Sequence, residues 1–117
     1  RYESSGLGPA WRTEYGSAAD PREFAWLYGY SPYHRVRRGA GYPATLLTVS
    51  DGDTRVDPAH ARKMCAALQW ASPAGEAPVL LRVEYGTGHG NRAAARAIDL
   101  IADTLSFCAT YTGLTMD

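Results

Sequence analysis

Little in this sequence is in excess. Twelve basic side chains are balanced by twelve acidic ones, so the formal net charge is zero, and the basic footprint that attracts phosphate backbones or anionic lipid is missing. No nucleic acid and no membrane surface is expected as a partner. The longest largely apolar stretches, residues 42–49 and 79–83, fall far short of the roughly eighteen residues of a bilayer crossing. Cysteine occurs twice, at Cys65 and Cys108, with no Cys-x-x-Cys or Cys/His ligand spacing, which argues against a disulfide framework or a metal site. The chain opens Arg1-Tyr2-Glu3 without the basic and apolar regions of a signal peptide. It is therefore expected to be cut from a longer, soluble sequence, and the residues do not set its compartment, cytoplasm or periplasm. Arginine outnumbers lysine eleven to one, a bias attributed to codon composition. What remains, 117 residues at 45% hydrophobic and 21% charged, suits one globular unit over residues 1–117 with no second domain.

Residues 1–19 are rich in Gly, Ser, Ala and aromatics without a clear period and predict an irregular segment carrying Trp11 and Tyr15. Asp20-Pro21-Arg22-Glu23 then combines an N-cap acid, a first-turn proline and a glutamate at the third helical position, the devices that satisfy orphan backbone donors at a helix start. Ser31-Pro32 ends that helix, and residues 35–43 read as an exposed basic loop. Residues 44–50 predict a strand buried on both faces. Asp57-Pro58 repeats the cap-then-proline device before a helix over residues 59–71. Residues 72–78 form a loop, residues 79–85 a second strand, residues 86–91 a glycine-rich turn, and residues 92–112 a long amphipathic helix with Gly113 in its C-cap region.

Two strands joined through one helix form a right-handed parallel crossover, so the class is α/β. A parallel pair alone covers neither its faces nor its edges, which points to the C-terminal portion of a larger α/β domain. In open α/β sheets, reactive groups gather beyond the carboxyl ends of the strands. The first strand is followed by Asp51-Gly52-Asp53-Thr54-Arg55-Val56, the second by Gly86-Thr87-Gly88-His89-Gly90. An acid on one loop and a histidine on the next suit the Asp and His members of a Ser, Asp, His triad, in the chain order used by α/β hydrolases. A serine hydroxyl is a poor nucleophile until a base takes its proton, and the base needs an acid to hold its tautomer. On spacing, Asp51 and Asp53 are both candidates for that acid.

Several pieces occur together and in order: Trp11-Arg12-Thr13-Glu14-Tyr15-Gly16, Tyr30-Ser31-Pro32-Tyr33-His34, Tyr42-Pro43-Ala44, Asp53-Thr54-Arg55-Val56, residues 60–69 (HARKMCAALQ) and Gly88-His89-Gly90. With these the chain resembles the C-terminal part of the catalytic domain in the prolyl oligopeptidase family, serine peptidases of the α/β-hydrolase fold. The resemblance implies cleavage after proline in short peptides through an acyl-enzyme, with no cofactor. It makes Asp53 the triad acid, since the Asp-x-Arg-Val frame sets the register, and His89 the general base. It further implies that Arg55 binds a peptide carbonyl, that Trp11 stacks on the proline ring, and that Val56 and Tyr15 line the proline pocket. The indole face and the guanidinium donors suit those tasks chemically.

The sequence also departs from the family. Two adjacent acids often precede the family's arginine, where this chain has Asp53-Thr54. None of the seven serines lies in a Gly-x-Ser-x-Gly frame, so the nucleophile and the oxyanion-hole donors are expected from an upstream remainder of the catalytic domain, which is the implied partner. Rival readings are another α/β hydrolase, peptidase or esterase, and a nucleophile-less remnant serving as an interaction module. His34 and His60 read as surface or capping residues, and the Arg35, Arg37, Arg38 cluster as a solvated loop. Residues 86–90 lack the Lys-Ser/Thr of a phosphate loop. Cys65 and Cys108 are expected to be buried small apolar groups rather than reactive thiols, and Trp26 and Trp70, on helices, to be packing residues.

Overall fold

The computed structural model describes residues 2–4, 6–73, 77–90 and 92–114. Parts of three expected segments lie outside these: residues 1 and 5 of the irregular start, residues 74–76 of the loop between the second helix–strand pair, and Asn91 at the end of the glycine-rich turn. The elements run α1 (Gly8–Tyr15), α2 (Pro21–Tyr30), β1 (Thr45–Ser50), α3 (Ala59–Ala71), β2 (Val79–Glu84) and α4 (Ala94–Thr112), with short 3-10 turns at Tyr2–Ser4 and Pro32–Arg35.

The irregular start is a correction. Residues 8–15 form a helix, begun by Pro9 in its first turn and stopped at Gly16, whose φ of 95° is open to glycine. No apolar period announced it because this helix does not face the sheet. Beyond it, Glu3 accepts hydrogen bonds from the Ser17 hydroxyl at 3.3 Å and from the Ala18 amide. The α2 start follows expectation at Asp20, whose Oδ1 accepts the Arg22 and Glu23 amides at 2.8 and 3.1 Å. Glu23 reaches further back, to the Ser17 amide at 2.6 Å.

β1 and β2 are parallel neighbours in register from Thr45↔Val79 to Ser50↔Glu84. Alternation along the strands sends Leu47, Val79 and Leu81 to one face, where they form the core with Cys65, Leu68 and Met64 of α3. The opposite face carries Ser50, Leu80, Arg82 and Glu84. Burial of β1 on both faces is therefore corrected: Ser50 alone is buried and Thr48 is exposed, because α3 covers only one side. On the other side α4 is tied to β2 by Arg82 and Asp103, 2.6 Å apart. Trp26, Trp70 and Cys108 are also exposed rather than packed. Each indole lies beneath a guanidinium instead, Arg22 at 5.9 Å and Arg38 at 5.4 Å.

The result is a slab of 55 × 39 × 19 Å with a radius of gyration of 16.9 Å, against about 13 Å for a compact domain of similar length. Ile98, Ile101 and Leu105 form an exposed stripe along α4.

Candidate active site

Parallel pairing brings the carboxyl ends of β1 and β2 side by side, and the two loops beyond them are stitched together. The Asp51 amide donates to the Glu84 carbonyl at 3.0 Å, and the Gly52 amide to the Thr87 carbonyl at 3.1 Å. The Gly86 amide in turn donates to Asp51 Oδ1 at 2.7 Å. A Cβ at Gly52 would sit 2.8 Å from the Thr87 carbonyl oxygen, so this approach requires glycine. Asp51 is thereby committed to holding the loops, which leaves the next acid to face across the gap.

Asp53 does so. Its Oδ2 lies 2.8 Å from His89 Nδ1, while its Oδ1 accepts the Arg55 and Val56 amides, both at 2.9 Å, closing a tight Asx-type turn. An ionised carboxylate only accepts, so Nδ1 carries the proton and Nε2 is left as the basic nitrogen. Among the described residues Nε2 has no hydrogen-bond partner. The Asp53 side chain is 14% exposed and that of His89 44%, so the carboxylate is sheltered and the imidazole is reachable. The Val56 amide is the main cause holding the Asp53 carboxyl below its ordinary range; desolvation opposes it, and His89 and the Arg55 amide add to it.

The six residues singled out from the sequence fall into two groups. Asp53, Arg55, Val56 and His89 share the stitched loops, with the exposed Arg55 side chain making no ion pair among the described residues. Trp11 and Tyr15 meet edge to face on α1, ring centroids 6.5 Å apart. The groups approach through Gly6, where a Cβ would lie 2.9 Å from the Arg55 carbonyl oxygen. Tyr15 also borders an open apolar cavity of about 500 Å³ with Phe24, Tyr28, Tyr33 and His34, which none of the other five candidates lines. Glu14 beside it pushes the Tyr15 phenol up, keeping the hydroxyl a donor.

Sequence reasoning missed the ion pairs beneath the His89 loop, Glu84 with Arg92 and with Arg82. An acid at the end of a strand, two residues after Arg82 on the same face, was the available signal, because a charge that becomes buried requires a partner. Among the described residues no cluster of His, Cys, Asp and Glu could hold a metal ion, and no helix is long and apolar enough to cross a membrane.

Comparison with known proteins adds the following. The model of the prolyl oligopeptidase family matches residues 1–115. The prolyl endopeptidase of Elizabethkingia miricola is 42% identical over 116 residues, covering 97% of this chain and 16% of that protein. A prolyl oligopeptidase of Dendrothele bispora is 39% identical, over 99% of this chain and 16% of its own length. Among solved structures, a prolyl endopeptidase superposes with a TM-score of 0.92 at 44% identity, over 98% of this chain and 17% of that one. Prolyl oligopeptidase B of Galerina marginata, bound to a 35mer hydrolysis and macrocyclization substrate, gives 0.91 at 34% identity, over 99% of this chain and 16% of its own. The chain thus spans about a sixth of the length of these relatives.

Proposed function

Because the chain belongs to the prolyl oligopeptidase family, we propose that residues 1–117 supply the acid, the base and part of the proline pocket of a serine peptidase that cleaves after proline in peptides. The observation that carries this reading is the Asp53–His89 contact at 2.8 Å, with the second carboxylate oxygen held by two amides.

The chemistry then follows from the atoms. A serine outside residues 1–117 attacks the peptide carbonyl as its hydroxyl proton passes to His89 Nε2. Asp53 stabilises the imidazolium through Nδ1–H and does not itself take the proton. The collapsing tetrahedral intermediate breaks the C–N bond, and His89 returns the proton to the leaving amine. Water attacks the acyl ester with His89 again as base, which releases the acid and restores the serine. Arg55 donates to a substrate carbonyl, while Trp11 offers its indole face to the proline ring and Tyr15 and Val56 complete the pocket. No step requires a cofactor. The partners are a short proline-containing peptide and the remainder of the catalytic domain.

The absence of a Gly-x-Ser-x-Gly frame favours one competing reading, an interaction module without a nucleophile. Both are tested in the full chain that carries these residues, with chromogenic peptides ending in proline or alanine and a fluorophosphonate label. The peptidase reading expects labelling and cleavage after proline. Trp11→Ala should reduce the preference for proline over alanine by about tenfold or more, and Arg55→Ala should raise KM. An unlabelled, inactive full chain supports the interaction module, and an unchanged proline preference in Trp11→Ala removes the stacking role.

A further inference from the structure

The loop between β2 and α4 carries His89, and its two stems meet in buried charge that the acid–base pair does not use. Glu84, the last residue of β2, is 6% exposed. Its Oε2 accepts the Arg92 Nε–H, and its Oε1 lies 3.4 Å from an Arg82 guanidinium nitrogen. Arg92 also reaches the Ser50 hydroxyl, at 3.4 Å, where β1 ends. Further out, the Arg96 guanidinium donates to the Tyr85 carbonyl. The Glu84 backbone carbonyl serves the same junction, accepting the Asp51 amide at 3.0 Å and the Thr87 hydroxyl at 3.2 Å.

An ion pair built on a buried carboxylate, here with the Arg92 side chain 25% exposed, is a poor device for stability alone, since an apolar pair of similar volume holds two stems at least as well. What charge adds is direction: a carboxylate shared by two guanidiniums is satisfied in few arrangements. Arg92 follows His89 by three residues and Glu84 precedes it by five, so that arrangement sets the span of the loop on which the imidazole rides. Asp53 is fixed independently, by its own Asx-type turn. The 2.8 Å contact therefore depends on the His89 loop being placed to within a fraction of an ångström of it.

We propose that Glu84 and Arg92 form the positioning clamp of His89, a pair that touches no substrate and acts by holding the imidazole against Asp53. The proposal rests on the reading of Asp53 and His89 as the acid and base of a peptidase. Displacement of a catalytic group by about 1 Å can cost about a hundredfold in rate, so loss of the clamp should appear in turnover and leave substrate binding alone.

The test uses the full chain with Glu84→Gln, Arg92→Lys and the neutral double variant Glu84→Gln/Arg92→Gln. The double variant removes both charges together, so neither Glu84 nor Arg92 is left charged beside a neutral partner, and Arg82 keeps its pair with Asp103 at 2.6 Å. Steady-state kinetics on a prolyl peptide are combined with the downfield proton NMR signal of an imidazole N–H bonded to a carboxylate. The clamp predicts that folded Glu84→Gln and the double variant lose about tenfold to a hundredfold in kcat, with KM nearly unchanged and the downfield signal broadened. Arg92→Lys, which keeps the charge but cannot bond Glu84 and Ser50 in the same fork, should fall between them and the parent. If Glu84→Gln does not fold, the double variant decides. A folded variant with parental kcat and an unchanged signal overturns the clamp. Asp53→Asn separates the two levels. Its inactivity beside a fully active Glu84→Gln removes the clamp alone, and its full activity removes the underlying acid–base reading and the clamp with it.

Discussion

Replacing Asp53 by asparagine exchanges one carboxylate oxygen for an NH2 group in a turn whose geometry dictates the outcome. The Arg55 and Val56 amides both donate to Oδ1 at 2.9 Å, and only the carbonyl oxygen of an amide can accept them. The amide of Asp53→Asn must therefore keep its oxygen on those two donors and turn its NH2 toward His89. Facing a donor at 2.8 Å, Nδ1 has to give up its proton and accept. The imidazole proton moves to Nε2, which then cannot take one from a serine. Because the two amides remain bonded, the turn and the fold should survive, and the whole effect should fall on catalysis. The loss of the base tautomer together with the charge that stabilises the imidazolium is expected to lower kcat by about ten-thousandfold. The assay is kcat and KM on a prolyl chromogenic peptide in the full chain, beside a thermal melt of each variant. Asp51→Asn is the control. Among the described residues its side chain accepts one hydrogen bond, from the Gly86 amide at 2.7 Å, which an amide oxygen accepts equally well, so its kcat should stay within about threefold of the parent. A folded Asp53→Asn that loses less than about tenfold, or an Asp51→Asn that loses as much as Asp53→Asn, would refute the tautomer argument.

Gly52→Ala should separate the stitched loops, since its Cβ would meet the Thr87 carbonyl oxygen at 2.8 Å; a cost of about 1–3 kcal/mol is expected for such overpacking, read as a lower Tm with reduced kcat, and an unchanged Tm would show that the loops yield without strain. Residues 1–117 produced alone should take no fluorophosphonate label at any serine and should self-associate through Ile98, Ile101 and Leu105, whose exposure exceeds half; a labelled serine would place the nucleophile inside this chain, and a monodisperse monomer would show that the stripe needs no cover. The Asp53 carboxyl is held below its ordinary range in the fold, so its turn adds stability above the unfolded carboxyl value of about 3.9 and loses it as the pH falls through the lower folded value. Asp53→Asn should accordingly flatten the acid limb of a Tm-versus-pH curve, and an identical limb in both proteins would deny that contribution.

What could be learned from the chain alone was what neighbouring residues decide among themselves. The Asp20 cap with Pro21 started α2 where it was expected, and the Asp57-Pro58 device with an apolar period marked out Ala59–Ala71. Both strands, their parallel pairing and the family resemblance were legible for the same reason: each depends on short spacings and on one right-handed crossover. The eight-residue helix at Gly8–Tyr15 was not legible, because it turns no apolar face to the sheet and so left no period to read. Nor could spacing choose between Asp51 and Asp53, two acids on one loop. The Asp-x-Arg-Val frame of the resemblance pointed to Asp53, and only the folded chain shows the Gly86 amide taking up Asp51 while the His89 imidazole meets Asp53. The exposure of Trp26, Trp70 and Cys108 and the burial of Glu84 against Arg92 at the loop stems were decided in the same way. They depend on which surfaces come together in space, and residues far apart along the chain carry no mark of that until it folds.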